Sequence, residues 1–258
     1  MKNRMLCVIQ ARTGSTRFPE KVLKKINGVS MLSLVIRRVA LSRSFGKPRI
    51  VVATTSKAED KRVIEIAKAE GVGVFAGEEK DVLERYYQAA KKYSADIILR
   101  ITSDCPLIDH EIIDKVTQTF IKTKGLDYCS NRLQPSYPEG LDTEIFRFCA
   151  LEQAKTQTTD PYDREHVTPY LYRSGKFKTK NVFFKEDLSY LHLSVDEQAD
   201  FEFVKEVYRK LRDKECDFVL KDILNIFMED PDILKINQSQ KARTKFNQRA
   251  LNYKRKNK

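Results

Sequence analysis

The 258-residue sequence predicts an α/β protein whose mostly parallel sheet is covered by helices. Two observations carry that prediction. Strand-like and helix-like segments alternate from residue 5 to residue 123. The strand-like segments are also apolar along their whole length, so neither of their faces suits water.

The elements follow in order. Met5–Gln10 is a short apolar run that passes at once into Gly, Ser, Thr and Pro, hence strand then loop. Met31–Ser42 has apolar residues at 31, 32, 34, 35, 36, 39 and 40, with Arg37 and Arg38 on the other side, which is helical spacing. Arg49–Thr54 reads as a buried β-branched strand, and Ala58–Glu70 as an amphipathic helix closed by Gly71. Val72–Ala76 is a strand. Asp81–Tyr93 is a helix, Asp96–Thr102 a buried strand and Asp109–Thr123 a helix.

The remainder is less regular. Strands are expected at Asp127–Asn131, Thr143–Phe148, 176–184 and Tyr190–Val195. Arg132–Gly140 is a Pro-rich loop, Cys149–Thr156 a helix, 160–175 loop and helix, and Gln198–Leu211 a helix. The body thus spans residues 1–215, and residues 216–258 form a helical C-terminal extension with a basic tail.

Composition excludes several classes. Hydrophobic content of 41% with 33% charged residues fits a globular protein with a real core. No apolar run approaches the roughly 18 residues of a membrane span. Met5–Ile9 is too short for a signal-peptide core of about 7–15 residues, so a cytoplasmic location is expected. The five cysteines are odd in number, far apart and free of CxxC spacing, which argues against a disulfide framework or zinc knuckle. Cys105 reads as a small buried hydrophobe.

The net charge of +12 is uneven. Nine Lys or Arg and no acid lie between Ile233 and Lys258, leaving +3 for residues 1–232. Two readings of the tail stand: contact with nucleic acid or an anionic membrane surface, or a solvated terminus. No RNA-binding motif with stacking aromatics accompanies it, so no specific nucleic-acid partner is expected.

Ligands of open α/β sheets bind outside the carboxyl ends of the strands. That rule singles out the loops after Gln10, Thr54 and Thr102. The first, Gln10–Lys21, offers Arg12, Arg17 and Lys21 around Gly14, Ser15 and Thr16. Small residues let backbone N–H groups approach phosphate oxygens, and the cations offset their charge. It is neither a P-loop nor a dinucleotide fingerprint. Its other reading is a solvated turn. Asp104 follows a buried strand and precedes Cys105-Pro106. It suits a Mg²⁺ ligand, because Mg²⁺ takes few carboxylates plus substrate phosphates. It equally suits a turn or a helix cap. Asp196, between a strand and a helix, is a second metal candidate or an N-cap.

Together these stretches resemble a known family. Gln10–Lys21, Arg100-Ile-Thr-Ser-Asp-Cys-Pro-Leu-Ile-Asp109 and Leu193-Ser-Val-Asp-Glu-Gln-Ala-Asp200 occur in this order. They are similar to the cytidylyltransferase family that includes CMP-Kdo synthetase, most closely its spore coat polysaccharide biosynthesis protein F branch. Asp81–Ala89, Pro138–Phe146 and Asp163–Tyr170 add to the likeness, which spans roughly residues 4–212.

The resemblance implies a nucleotide-diphospho-sugar transferase fold, Rossmann-like and GT-A-like, with a mixed sheet flanked by helices. It implies a small extension, about residues 131–190, for acceptor and dimer contacts, and hence a homodimer. The implied reaction transfers CMP from CTP to an acidic sugar of the Kdo or nonulosonate type, releasing pyrophosphate for surface glycan synthesis. A sugar phosphate, polyol phosphate or phosphonate acceptor is an alternative. Lys21, Asp104 and Asp196 are the implied catalytic residues, with Asp104 and Asp196 holding Mg²⁺. Gln10, Ala11, Arg12, Gly14, Ser15, Thr16, Arg17, Lys21, Arg85 and Thr102 would bind the nucleotide. Glu139, Asp142, Arg164, Glu165 and His166 would face the acceptor. His110 and His192 carry no motif and receive no role.

Some positions depart from the family pattern. Glu20 stands where relatives commonly have Gly, Ser103 replaces a common Gly, and Thr102 sits where CMP-Kdo synthetases place a base-reading Gln. The segment Asn27–Leu32 lacks the usual Gly-Lys-Pro-Leu. The charged constellation is intact. A GT-A-type glycosyltransferase is the rival enzyme, and it would usually show a DxD motif, whereas Asp104 is followed by Cys-Pro.

Overall fold

The computed structural model describes residues 4–239 and 241–248. Its centre is a seven-stranded mixed sheet. The first strand, β1 (Met5–Gln10), pairs in parallel with β4 (Ile50–Thr55) on one side and β6 (Ile97–Thr102) on the other. Beyond β4 lies β5 (Gly73–Gly77), also parallel. Beyond β6 come β8 (Glu144–Arg147), antiparallel to it, then β7 (Tyr128–Ser130) and the edge strand β9 (Thr179–Asn181). The chain therefore moves one way from β1 to β4 and β5, and then crosses to the far side of β1 for β6. That reversal leaves a crevice at the carboxyl ends of β1 and β6.

Side-chain alternation splits the core into two layers. Cys7, Ile9, Val52, Leu99 and Ile101 face α1 (Met31–Ala40), α2 (Lys61–Ala69), α4 (His110–Lys122), α8 (Gln198–Lys210) and α9 (Leu220–Glu229). Leu6, Val8, Val51, Ala53 and Ile98 face α3 (Val82–Lys92), α5 (Phe148–Gln157) and α7 (Pro169–Arg173). The short α6 (Pro161–His166) packs against α3. All five cysteines are free, and Cys105 is buried as expected.

The structure differs from the sequence reading in four places. Lys25–Ile26 (β2) and Val29–Ser30 (β3) form a small hairpin that was not foreseen. Its Asn27-Gly28 turn has φ of 49° and 82°, the left-handed pair that a two-residue hairpin requires. The strand expected at 176–184 shrinks to the three residues of β9. The strand expected at Tyr190–Val195 is absent. Leu191, Leu193 and Val195 are buried with the expected period of two, but only one bridge, His192 to Glu139, gives this segment a β partner. Arg38, expected on the outer side of α1, is fully buried. Its guanidinium lies 3.7 Å from the Phe218 ring centroid and donates to the carbonyls of Ile108, Cys216 and Phe218.

Those bonds tie the segment after Cys216 to the body, and Phe227, Leu234 and Phe246 join the same core layer. Lys241, Arg243 and Lys245 of the basic tail fall in helical residues 241–248. Arg249, Lys254, Arg255, Lys256 and Lys258 lie outside the described residues.

Candidate active site

The loop after β1 is fixed at both ends and exposed between them. Ala11 N donates to Ala53 O (3.1 Å), and Ser103 N donates to Gln10 O (3.0 Å). Thr13 donates its N–H and its hydroxyl to Asp60 Oδ1 (2.7 and 2.8 Å), and the Thr55 hydroxyl donates to Asp60 Oδ2. Burial pushes the Asp60 carboxyl up, but these donors outweigh it and hold the group below its usual range. Asp60 therefore stays an anion that anchors the loop. The far end returns to the core through Phe18, 5.7 Å from the ring of Phe201. Between the anchors, Gly14, Thr16 and Arg17 are exposed and Ser15 is partly so. Glu20 has φ 54°, a left-handed position. A glycine would adopt it without strain. Glu20 instead pairs with Arg62 at the surface (3.2 Å).

Lys21 follows at the end of this loop and joins the three motifs. Its Nζ donates to Asp104 Oδ2 (3.2 Å), Asp196 Oδ1 (3.1 Å) and Val195 O (2.7 Å). Arg17 Nη2 adds a second cation 2.9 Å from Asp196 Oδ1. Val195 N donates to Asp104 O (2.8 Å), so the two aspartate segments are held directly to each other. Neither aspartate caps a helix. Asp109 caps α4 by accepting from Glu111 N and Ile112 N, and Asp200 Oδ2 accepts from Asp196 N and Glu197 N ahead of α8. Burial pushes the Asp104 carboxyl up, but the Lys21 charge, with hydrogen bonds from Thr102, Lys21 and Cys105, brings it below the usual carboxylate range.

No cluster of three His, Cys, Asp or Glu among the described residues could hold a metal ion. A divalent ion here would rest on the Asp104 and Asp196 pair plus substrate oxygens, the donor set that Mg²⁺ ordinarily takes.

A cleft of about 650 Å³ opens beside this pair. Thr102, Asp104 and Asp196 line it together with Arg132, Glu139, Asp142, Tyr162 and Tyr172. Among the sequence-predicted acceptor residues, Glu139, Asp142 and His166 line it. Arg164 and Glu165 do not. Arg164 donates through Nε to Asp81 Oδ2 (2.7 Å) and through Nη1 to the carbonyls of Lys155 and Thr158, so it ties α6 to α3 and α5. Glu165 is exposed at the surface. Arg85 also lies outside the cleft. It is buried on α3, donates through Nη1 to the carbonyls of Glu78 and Glu79, and leaves Nε and Nη2 without partners. Arg12 lies 3.8 Å from Glu79 at the same edge. The Thr102 hydroxyl is turned to Cys105 Sγ at 3.3 Å.

Several residues at the site receive no role from the sequence. His192 Nδ1 is 3.1 Å from Glu139 Oε2, and its Nε2 is 3.5 Å from Asp200 Oδ2. Hydrogen bonds to Asp200 and Glu139 push the imidazole up to about 10, so it is cationic at neutral pH. Gly140 (φ 96°) lets its chain approach this segment, because a Cβ there would lie 2.4 Å from Ser194 N. Asp60 and Arg100 are the other two. Asp60 falls within the helix expected at Ala58–Glu70, just past the loop after Thr54 that the strand-end rule selects.

Comparison with known proteins places the fold. Residues 6–249 match the cytidylyltransferase family profile. Uncharacterized protein MJ1063 of Methanocaldococcus jannaschii is 38% identical over 242 residues, covering 92% of this chain and 95% of its own. Spore coat polysaccharide biosynthesis protein SpsF of Bacillus subtilis is 29% identical over 241 residues, covering 89% and 96%. The solved structure of a cytidylyltransferase from Leptospira borgpetersenii superposes with a TM-score of 0.87 at 35% identity, covering 92% of this chain and 99% of that one. The mixed sheet, the strand-end site and the match over residues 6–249 agree: the chain belongs to the cytidylyltransferase family, the CTP-dependent nucleotidyltransferases.

Proposed function

We propose that the enzyme transfers CMP from CTP to an acidic sugar of the Kdo or nonulosonate type, releasing pyrophosphate, in the synthesis of a surface glycan. The observation that carries this reading is Lys21 Nζ, bonded to Asp104 and Asp196, two aspartates that line the cleft. The Lys21 charge, with that of Arg17 beside Asp196, supports phosphate binding next to the two aspartates, with the cleft left to an acceptor. The name of the SpsF relative supports the glycan context.

In this reading the acceptor hydroxyl attacks the α-phosphorus in line as pyrophosphate departs. Lys21, Arg17 and Arg12 offset the charge that grows on the leaving group. Fixing both substrates in one cleft supplies much of the acceleration. Asp104 and Asp196 would hold Mg²⁺, which when bound supplies Lewis-acid stabilisation of phosphate charge.

The test is pyrophosphate release from each of the four nucleoside triphosphates with a panel of acceptors. The proposal expects release from CTP with 2-keto sugar acids. Release only with sugar phosphates, polyol phosphates or phosphonates would replace the acceptor class.

A further inference from the structure

Two arginines line the cleft, and they are not equivalent. Arg132 is half exposed. Its Nη1 is bound to Asp142, and Glu139 lies 3.9 Å from its Nη2, so two carboxylates already answer its charge. Arg100 belongs to β6, with its side chain only 14% exposed. It binds Glu144 through Nη1, and its Nη2 reaches Gln10 Oε1 only at 3.5 Å. Its buried Nε has no partner.

A guanidinium carries five N–H donors. Arg100 bonds through Nη1 and, weakly, Nη2, and its Nε is enclosed without a partner. Glu144 is by contrast fully engaged. Its Oε1 accepts from the Tyr128 hydroxyl (2.7 Å) and the Thr168 hydroxyl (2.6 Å), while its Oε2 accepts from Arg100. The 3.5 Å contact at Nη2 is the weakest bond this guanidinium makes, so Nη2 is the donor that a carboxylate in the cleft would take over.

Position points the same way. Arg100 and Thr102 share the cleft face of β6, and Asp104 follows just beyond the strand. In a 2-keto sugar acid the carboxylate is bonded to the carbon that bears the attacking hydroxyl. A carboxylate held at Arg100 would therefore leave that hydroxyl on the side of Asp104 and Asp196.

We propose that Arg100 is the residue that reads the acceptor's carboxylate and so selects sugar acids over neutral sugars. This inference rests on the acidic-sugar reading above. A planar guanidinium can grip a carboxylate with two parallel bonds, which a lysine or glutamine cannot reproduce.

The test compares the wild-type chain with Arg100→Lys and with Arg100→Gln/Glu144→Gln, the double variant leaving no unpaired carboxylate in the core. Pyrophosphate release from CTP is measured with 3-deoxy-manno-octulosonate, with a nine-carbon nonulosonate, and with the C1 carboxamide of each. The wild type should prefer carboxylate to carboxamide by about 10- to 100-fold in kcat/KM. Both variants should collapse that ratio through the acceptor KM, with the KM for CTP changed less than about threefold. Equal losses on carboxylate and carboxamide, with the ratio intact, would overturn the role of Arg100. If no sugar acid supports turnover but a sugar phosphate does, the acidic-sugar reading fails first and takes this inference with it.

Discussion

At the scale of single residues, the site is a problem of charge. Lys21, Asp104 and Asp196 come from places 83 and 175 positions apart, and one ammonium joins them. Each was legible as a charged residue at a strand end. Their meeting was not, because nothing in the chain shows which strand ends adjoin. His192 and Arg100 were harder to see. His192 reads as a polar interruption of an apolar run, and its charge arises only from Glu139 and Asp200 folded against it. Arg100 sits inside a strand whose neighbours are all buried. Glu20 was visible as a departure from the family's glycine, and it has a left-handed φ of 54°. Replacing Glu20 with Gly should raise stability by on the order of 1 kcal/mol, since a left-handed non-glycine residue costs about that much. Thermal unfolding checks this, and a lower melting temperature would show that the Arg62 pair outweighs the strain.

At the scale of elements, the strands with continuous apolar runs were the most legible, and the structure keeps them within a residue or so. Tyr190–Val195 shows the limit of periodicity. Its alternation of buried residues is real, yet a strand also needs a neighbour, and Gly140 and Glu139 supply only one bridge. The turn after α1 is held differently, by Asp114 on α4. Its carboxylate accepts from the Ser42 hydroxyl (2.7 Å), Arg43 N (3.0 Å), Ser44 N (3.0 Å) and the Ser44 hydroxyl (2.7 Å). Burial pushes this carboxyl up, but the four donors bring it below 3.8, its ordinary value. A depressed folded-state value means stability that is present above about pH 4 and lost as pH falls through the folded value. Asp114→Asn should therefore cost about 1.5–3 kcal/mol at pH 7, with the difference from wild type shrinking in acid below pH 4. Denaturant titrations at pH 7 and pH 3 measure it, and an equal loss at both would rule out the carboxylate's charge as the cause.

At the scale of the whole molecule, the order β5-β4-β1-β6-β8-β7-β9 creates the site by reversing direction at β1. The alternation through residue 123 predicted a sheet of this class and pointed to the strand-end edge where Lys21, Asp104 and Asp196 meet. It left the antiparallel half open, because β7, β8 and β9 are short and their order depends on contacts far along the chain. The segment after Cys216 is also part of this whole, because buried Arg38 accounts for its attachment and its charge had suggested a surface residue. The Lys21, Asp104 and Asp196 cluster is proposed as the triphosphate and metal end of a cytidylyltransferase site. The most direct measurement is CTP-dependent pyrophosphate release by Asp104→Asn and Asp196→Asn across a Mg²⁺ titration, with folding checked by circular dichroism. The account predicts folded variants whose kcat falls at least about 100-fold, the scale lost when a group that stabilises transition-state charge is removed. Folded variants with near-normal rates and unchanged Mg²⁺ dependence would contradict it.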